Sequence, residues 1–380
     1  MNKLSFFHFP TEVIFGAGST QQLFVSLEKS KINKILVVSD QNVSSLSFFK
    51  DIYGNLSQKF DCHKFSEFSA NPLSNEIDQV KNTLATFSPD LILAIGGGAS
   101  MDVGKAISIS LGHEGSILKY DDAIGGDKLI DPNKLIPVWA IPTTSGTGSE
   151  VGRSAVISDA ETKQKKIIFH PQLIPKLVIC DPVLTEKLPA KITAQTGIDA
   201  FVHLFEAYCA PGFHPMADGI ALEGMRLIEK SLIRSVNAPD LESRTNMMAA
   251  AMMGAVAFQK GLGNIHSCAH SLSACFDIHH GLANGVMLPY GAQTNLQALG
   301  GKAKMIASIL GGGSSNGDDL PHLLIELVTE CGLPTNLGAF GIKKSDCEKL
   351  TKYAFEDGCH QTNACVMTEE MFHKLFLAAL

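Results

Sequence analysis

The sequence predicts an α/β domain followed by an all-α domain, and two observations predict it. In the first half, short β-branched runs alternate with helical stretches: Lys34–Ser39 (KILVVS), Leu91–Ile95 (LILAI), Val138–Ile141 (VWAI) and Leu177–Cys180 (LVIC). Such alternation calls for a mainly parallel sheet covered by helices. From about Leu184 those runs stop, and Ala-, Met- and Leu-rich helical patterns replace them. Among these, Asn246–Phe258 (NMMAAAMMGAVAF) is apolar all round and reads as a central, buried helix. Asp181–Pro189 (DPVLTEKLP), with prolines near both ends, is the natural joint, so the halves are expected at 1–183 and 184–380. A chain of 380 residues with 45% hydrophobic positions is long enough to fill two such cores.

Bulk properties exclude several classes of function. Lys and Arg total 31 against 38 Asp and Glu, a net charge of -7, which offers no basic face to nucleic acid. Pro10 and Glu12 interrupt what would have to be the apolar stretch of a secretion signal, so no export is expected. No apolar run reaches the roughly 18 residues of a membrane span, and a cytoplasmic protein without a membrane partner is expected. The nine cysteines include no CxxC pair, which points to reduced, mostly buried thiols and not to a disulfide framework or a thiolate zinc site. Gly311–Asp319 (GGGSSNGDD) reads as a surface loop.

Two loops look able to hold a ligand. After LILAI comes GGGASMDVGKAI, where Gly96, Gly97 and Gly98 permit a tight turn and Ser100 can cap the helix that follows. Unpaired amides at a helix start suit a pyrophosphate, although the spacing is not the usual G-x-G-x-x-G, and a bare turn would look similar. The second loop, Thr143–Glu150 (TTSGTGSE), is rich in hydroxyls and follows VWAI, so it reads either as turns and caps or as phosphate and nicotinamide contacts. Asp40 closes KILVVSD. A carboxylate there either accepts hydrogen bonds from an adenosine ribose, selecting NAD over NADP, or is a plain turn aspartate.

The helical half holds the densest chemistry. In TAQTGIDAFVHLFEAYCA, Asp199 and His203 are four residues apart and project from one helix face. Further on, GNIHSCAHSLSACFDIHHGLAN carries His266 and His270, again four apart, then His279 and His280. A lone histidine in an apolar helix is ordinarily a satisfied core residue. Several beside a buried aspartate are not, because an unpaired buried charge is costly unless a metal or partner compensates it. Asp199, His203, His266 and His280 give one oxygen and three nitrogen donors, suited to a first-row divalent ion such as iron or zinc.

On these segments the chain resembles the iron-containing (group III) alcohol dehydrogenases, the family of lactaldehyde reductase and 1,3-propanediol dehydrogenase, over nearly its whole length. Gly96–Asp102, Thr143–Glu150, Gly197–Glu206 and Gly263–Asn284 are similar, in order, to the family's GGGSxxD, TTxGTGSE, GxDAxxHxxE and GxxHxxAHxLxx...HGxxN segments. The resemblance implies a Rossmann-like N-terminal domain, a helical C-terminal domain of the dehydroquinate synthase-like type, and an active site in the cleft between them. It implies that Asp199, His203, His266 and His280 bind the metal, most often Fe2+ with Zn2+ as the other choice, and that His270 stands unligated beside the reacting carbon. Asp40 matches the NAD-selecting residue. Gly96, Gly97, Gly98, Ser100, Asp102, Thr143, Thr144 and Thr147 fall in the segments that contact the dinucleotide. Homodimers are common in the family.

The chain departs from the pattern where the family's serine is Ala99, and where relatives read Asn-Pro-Arg this chain has Asn363-Ala364-Cys365. Arg153 and Lys260 are read either as solvated surface charges or as borders of the substrate site that favour an acidic aldehyde. The expected activity is metal-dependent hydride transfer between NAD(H) and a small alcohol or aldehyde. The alternatives are a zinc-dependent polyol dehydrogenase of the glycerol type, a dehydroquinate synthase-like lyase, and a non-catalytic nucleotide binder.

Overall fold

A computed structural model of the chain describes residues 11–84, 86–313 and 315–380. The opening residues 1–10, on which most of the leader reading falls, lie outside the described residues, as does Ser314 in the glycine-rich run. The described chain forms two compact units, one over 11–144 and 149–185, the other over 145–148 and 186–380.

The first unit alternates strands and helices. Its elements are β1 (Glu12–Phe15), α1 (Gln22–Glu28), β2 (Lys34–Val38), α2 (Gln41–Ser45), α3 (Ser47–Lys59), β3 (Asp61–Phe65), α4 (Ser74–Thr83), β4 (Leu91–Gly96), α5 (Gly98–Gly112), β5 (Val138–Pro142), β6 (Ser154–Ser158), β7 (Lys165–Phe169) and β8 (Leu177–Cys180). Six strands form one sheet in the order β1-β8-β5-β4-β2-β3, parallel at every pairing, while β6 and β7 form a separate antiparallel hairpin. Strand β4 is buried at every residue, and four of the five residues of β2 are buried. That explains their unbroken apolar runs, since a strand covered on both faces has no polar side to show. Ile35, Val37, Leu91, Leu93 and Ile95 pack with Leu23, Leu27, Phe49, Ile52 and Leu56 from α1 and α3. On α5, Gly104 lets the helix approach the sheet, where an added Cβ would come within 3.1 Å of Ala94.

This topology decides where the loops gather. From β2 the chain steps outward to β3, returns to β4, and then builds the other way through β5 and β8. The carboxyl ends of β2 and β4 are thus the point where strand order reverses, which is where open α/β sheets bind ligands.

The second unit is helical: α6 (Ala190–Cys209), α7 (Pro215–Asn237), α8 (Leu241–Ala257), α9 (Asn264–Phe276), α10 (His280–Leu299), α11 (Gly301–Leu310), α12 (Leu320–Glu330), α13 (Cys347–Glu356) and α14 (Glu369–Ala378). Helix α6 is buried along nearly all of its length from Thr193, with Phe201, Leu204 and Phe205 in the main core. No residue between Asn246 and Phe258 is exposed, in keeping with the apolar pattern of α8. No helix among the described residues is long and apolar enough to cross a membrane. None of the nine cysteines is in a disulfide, and five of them (Cys180, Cys209, Cys268, Cys331 and Cys347) are buried.

Candidate active site and metal centre

Three helices of the second unit converge on one polar cluster. Helix α6 supplies Asp199 and, a turn later, His203; α9 supplies His266; α10 opens on His280. A donor atom from each of Asp199, His266 and His280 lies within 4.8 Å of the other two. His203 stands alongside, its Nδ1 4.0 Å from Asp199 Oδ2 and its ring centroid 4.7 Å from that of His266. All four sequence-predicted ligands are therefore brought together, three of them as a mutually close set.

Two details test whether this cluster fits a cation. The Asn284 side-chain amide donates to Asp199 Oδ1 at 2.7 Å and also lies 3.2 Å from His280 Nε2 and 3.5 Å from His266 Nε2. Two amide hydrogens cannot satisfy three acceptors, so lone pairs are left facing one point. His203 Nδ1 is buried without a hydrogen-bond partner, and burial pushes the pKa of this imidazole down to about 4, keeping its lone pair unprotonated. An unprotonated imidazole, a carboxylate and two more imidazole nitrogens fit a first-row divalent ion. Without one, a buried Asp199 would carry a desolvation cost of several kcal/mol against only one short amide contact.

The surrounding residues orient the ligands. His266 Nδ1 is 2.6 Å from Glu206 Oε2, and Glu206 also accepts from the amides of Gly263 and Ile265 at 2.9 and 2.7 Å. Gly263 has no side chain to cap α9, so Glu206 does that work from α6 while fixing the ring of His266. Burial opposes the charged form of His266, but the Glu206 carboxylate outweighs it and raises the pKa above the ordinary value. Partners of this kind orient metal-binding imidazoles, and losing one typically weakens metal affinity about 10–100-fold. Glu206→Gln is expected to fall in that range by competition with a chelator and, because its amide group would face a backbone N–H at the start of α9, to destabilise the metal-free protein by about 1–3 kcal/mol in a thermal melt. In the sequence Glu206 stands out only by its spacing, three residues after His203 on the same helix.

His270, one turn beyond His266 on α9, stacks on His280 with ring centroids 5.1 Å apart. Its Nδ1 is 2.8 Å from Asp357 Oδ2, and Asp357 Oδ1 accepts from Ser267 Oγ at 2.8 Å and the Cys359 amide at 2.9 Å. Burial alone would raise the Asp357 carboxyl, but the facing His270 and these donors hold it well below the usual carboxylate range. Asp357, missed from sequence, thereby fixes the orientation of His270.

In the first unit the expected dinucleotide loops sit on adjacent strands. Gly96 ends β4 with φ +152°, and a side chain there would overlap Ser100, so only glycine serves. Thr143, after β5, donates its amide to the Gly96 carbonyl at 2.9 Å. A Cβ on Gly97 would approach Thr144 Oγ1 at 3.3 Å. Helix α5 begins at Gly98 with no side-chain cap, which leaves first-turn amides for an anion.

One expectation, the Ser100 cap, is corrected here, and the neighbouring residues take up structural bonds as well. Ser100 does not cap α5: the helix starts two residues earlier, and the serine is fully buried, accepting from the Asp40 amide at 3.3 Å with its Oγ 3.4 Å from Asp40 Oδ2. Asp40 itself caps α2 through Oδ1, which accepts from the amides of Asn42 and Val43, while Oδ2 is left with the weak Ser100 contact. Asp102 is occupied within the unit: Ser149 Oγ donates to one oxygen at 2.5 Å and the Val156 amide to the other at 3.1 Å. Beside it, the buried Lys105 donates to Ser149 O, Ser149 Oγ and Ser154 O at 2.6, 2.7 and 2.8 Å, with its pKa pushed down to about 8 by burial. Asp102 and Lys105 thus anchor the segment after the hydroxyl-rich loop. Thr147 falls in the stretch Ser145–Gly148, which belongs to the helical unit.

Lys260 is not a solvated surface charge. Its side chain is 2% exposed, paired with Asp218, and donates to the Tyr208 carbonyl at 3.3 Å; Lys302 donates to the same carbonyl at 2.7 Å. Both lysines therefore neutralise the C-terminal end of α6. Arg153 is half-buried and lies over the Phe169 ring at 5.5 Å. At the departure from the family pattern, Asn363 is buried and bonded to Asn295 and to the amide of Asn264 at the start of α9, so the region is well tied down.

A parallel α/β unit with glycine- and hydroxyl-rich loops near its reversal point, followed by a helical unit bearing an Asp–His cluster that could hold a metal ion, is the arrangement expected of a metal-dependent dehydrogenase. Comparison with known proteins makes the class specific. Residues 10–182 match the family model for iron-containing alcohol dehydrogenase, and residues 193–380 match that for the C-terminal part of the same family. The chain is 34% identical to a 4-hydroxybutyrate dehydrogenase of Cupriavidus necator, over 95% of this chain and 96% of that protein. It is 32% identical to an NAD-dependent methanol dehydrogenase of Bacillus methanolicus, over 98% and 99%. Among solved structures, a 1,3-propanediol oxidoreductase superposes with a TM-score of 0.92 at 29% identity, covering 100% of both chains. The chain belongs to the iron-containing alcohol dehydrogenase family. It is an oxidoreductase acting between alcohol and aldehyde, with iron and NAD as cofactors, and the match supports this reading over a zinc polyol dehydrogenase.

Proposed function

We propose that Asp199, His203, His266 and His280 hold the iron, that His270 carries the proton, and that the substrate is a small primary alcohol or its aldehyde. The observation that carries this is the convergence of Asp199 Oδ1, His266 Nε2 and His280 Nε2 on a single amide, beside the orphaned His203 Nδ1. Bound there, iron supplies a Lewis acid that polarises the substrate oxygen. Glu206 holds His266 in the tautomer whose Nε2 lone pair is available. Asp357 holds Nδ1 of His270, which leaves Nε2 to take a proton from the alcohol and return it in the reverse direction. Backbone amides at the start of α5, with Gly96, Gly97 and Gly98, receive the dinucleotide pyrophosphate, while Thr143, Thr144 and Thr147 add contacts. Ser100 and Asp102 support these loops from beneath.

The dinucleotide is NAD, as in the methanol dehydrogenase relative, and Asp40 Oδ2 provides the selection by repelling a 2′-phosphate. Asp40→Ser keeps a side-chain oxygen to cap α2 but removes the charge, so it is expected to raise the NADP/NAD ratio of kcat/KM by about tenfold or more. An unchanged ratio would leave Asp40 as the cap alone. With Lys260 committed to Asp218, a substrate carboxylate finds no partner in that lysine, which favours neutral aldehydes. We further infer a homodimer, supported by the sheet ending on the edge strand β1, a cytoplasmic setting, supported by nine cysteines held as free thiols, and no nucleic-acid partner, supported by the net charge of -7. The testing experiment is NADH oxidation by anaerobically iron-loaded protein with a panel of short neutral, hydroxylated and acidic aldehydes. Turnover of the neutral set supports the reading; no turnover of any aldehyde overturns it.

A further inference from the structure

One chemical cluster next to the Asp–His centre is used only in part by the proposed reaction. His270, Asp357 and Cys359 each bring a ligand atom within 4.8 Å of the other two, and Cys359 Sγ is 4.0 Å from His270 Nδ1. All three are partly exposed, so an ion can reach them. The cluster is also held in place before anything binds. Asp357 caps the short turn Gly358–Thr362 through the Cys359 amide, and Ser267 Oγ both donates to Asp357 Oδ1 and accepts from the His360 amide at 3.0 Å. Two of the three donors therefore sit on a rigid loop and the third on α9.

From this geometry we propose a second cation site at His270, Asp357 and Cys359, selective for a thiophilic divalent ion such as zinc or cadmium. The donor set decides the selectivity. A thiolate, an imidazole and one carboxylate suit soft and borderline cations, whereas calcium and magnesium require oxygen ligands. On binding, the Cys359 thiol loses its proton to solvent and a sulfur–metal bond forms; the His270 Nδ1 proton passes through solvent to Nε2, and the freed Nδ1 lone pair binds the metal in place of its hydrogen bond to Asp357. The ion then faces two negative ligands and is neutralised. At the neighbouring centre, by contrast, one carboxylate and three neutral imidazoles leave a dication with a net single charge. A neutral centre beside a singly charged one suffers little repulsion, so both can be filled in one chain. The proposal concerns binding alone and does not rest on the part taken by His270 in the reaction.

The test is a titration of the iron-loaded enzyme with cadmium, following the ultraviolet thiolate-to-cadmium charge-transfer band together with iron content. The expected result is a band that saturates at one cadmium per chain while iron is retained. Its affinity should weaken at least about tenfold in Cys359→Ser and in His270→Ala, and stay unchanged in Cys365→Ser, another half-buried thiol. In the unmodified chain, cadmium should also protect Cys359 from alkylation, read by peptide mass spectrometry, so the result does not depend on any variant folding. Iron released in step with cadmium uptake and without a thiolate band would mean exchange at the Asp199 centre and would overturn the proposal. A band that survives Cys359→Ser, or no protection of Cys359, would overturn it as well. If His266→Ala loses iron but keeps the band, the two sites are independent.

Discussion

His266→Ala is expected to lose more than about a hundredfold in iron affinity and to show no measurable turnover, while NAD binding is little changed. The ring has two engagements: Nε2 belongs to the converging lone pairs, and Nδ1 is held 2.6 Å from Glu206. Removing it takes a donor from the centre and leaves Glu206 to the amides of Gly263 and Ile265, which still cap α9. The fold should therefore survive with a loss of about 1–3 kcal/mol, from a buried acceptor left less satisfied. The dinucleotide loops at Asp40, Gly96–Gly98 and Thr143–Thr144 belong to the other unit, which is why NAD affinity should hold. Iron by mass spectrometry, NAD by calorimetry and turnover with an aldehyde check the three parts. Full activity in this variant would refute the ligand assignment.

Gly281→Ala should show the second large effect, through packing alone. Gly281 is the second residue of α10, and a Cβ there would overlap the Gln195 carbonyl of α6 and lie 3.1 Å from Asp199 Cβ. A backbone carbonyl inside a buried helix cannot step aside, so the start of α10 must move outward and carry His280 away from Asp199. Overpacking of this severity costs about 3 kcal/mol, and iron affinity should fall by about tenfold or more as the donors separate. Gly285→Ala, one turn later, is the control, since its Cβ would meet side-chain atoms alone, nearest Ile198 Cγ2 at 3.2 Å and Leu333 Cδ1 at 3.5 Å, and no backbone. Thermal melts of both variants, with and without iron, measure the effect. Equal melts and equal iron affinities would show that the close approach of α10 to α6 does not position the centre.

These two effects rest on features of differing visibility in the sequence. The four inner strands, β2, β4, β5 and β8, were legible because burial on both faces writes an unbroken apolar run. The edge strands were not. Strand β3 reads DCHKF with only Phe65 buried, and β1 reads EVIF with no buried residue, so neither shows the pattern of an interior strand. The metal donors were legible because helix spacing puts Asp199 with His203, and His266 with His270, on common faces. Glu206 continued the first of those faces but looks like any helical glutamate until its partner on α9 is known. Asp357 is 87 residues from His270 and stands before a short turn, with nothing local to mark it. Lys260 was misjudged for the opposite reason: lysine is usually solvated, and its partners are Asp218 on α7 and a carbonyl at the end of α6, a tertiary arrangement that spacing does not reveal.

The central claim, that Asp199, His203, His266 and His280 share one iron, is most directly tested by X-ray absorption at the iron edge of anaerobically loaded enzyme. One iron per chain surrounded by nitrogen and oxygen scatterers alone, with the imidazole contribution reduced in His280→Ala, is the predicted result. A sulfur scatterer in the inner shell, or a spectrum unaltered by His280→Ala, would contradict it.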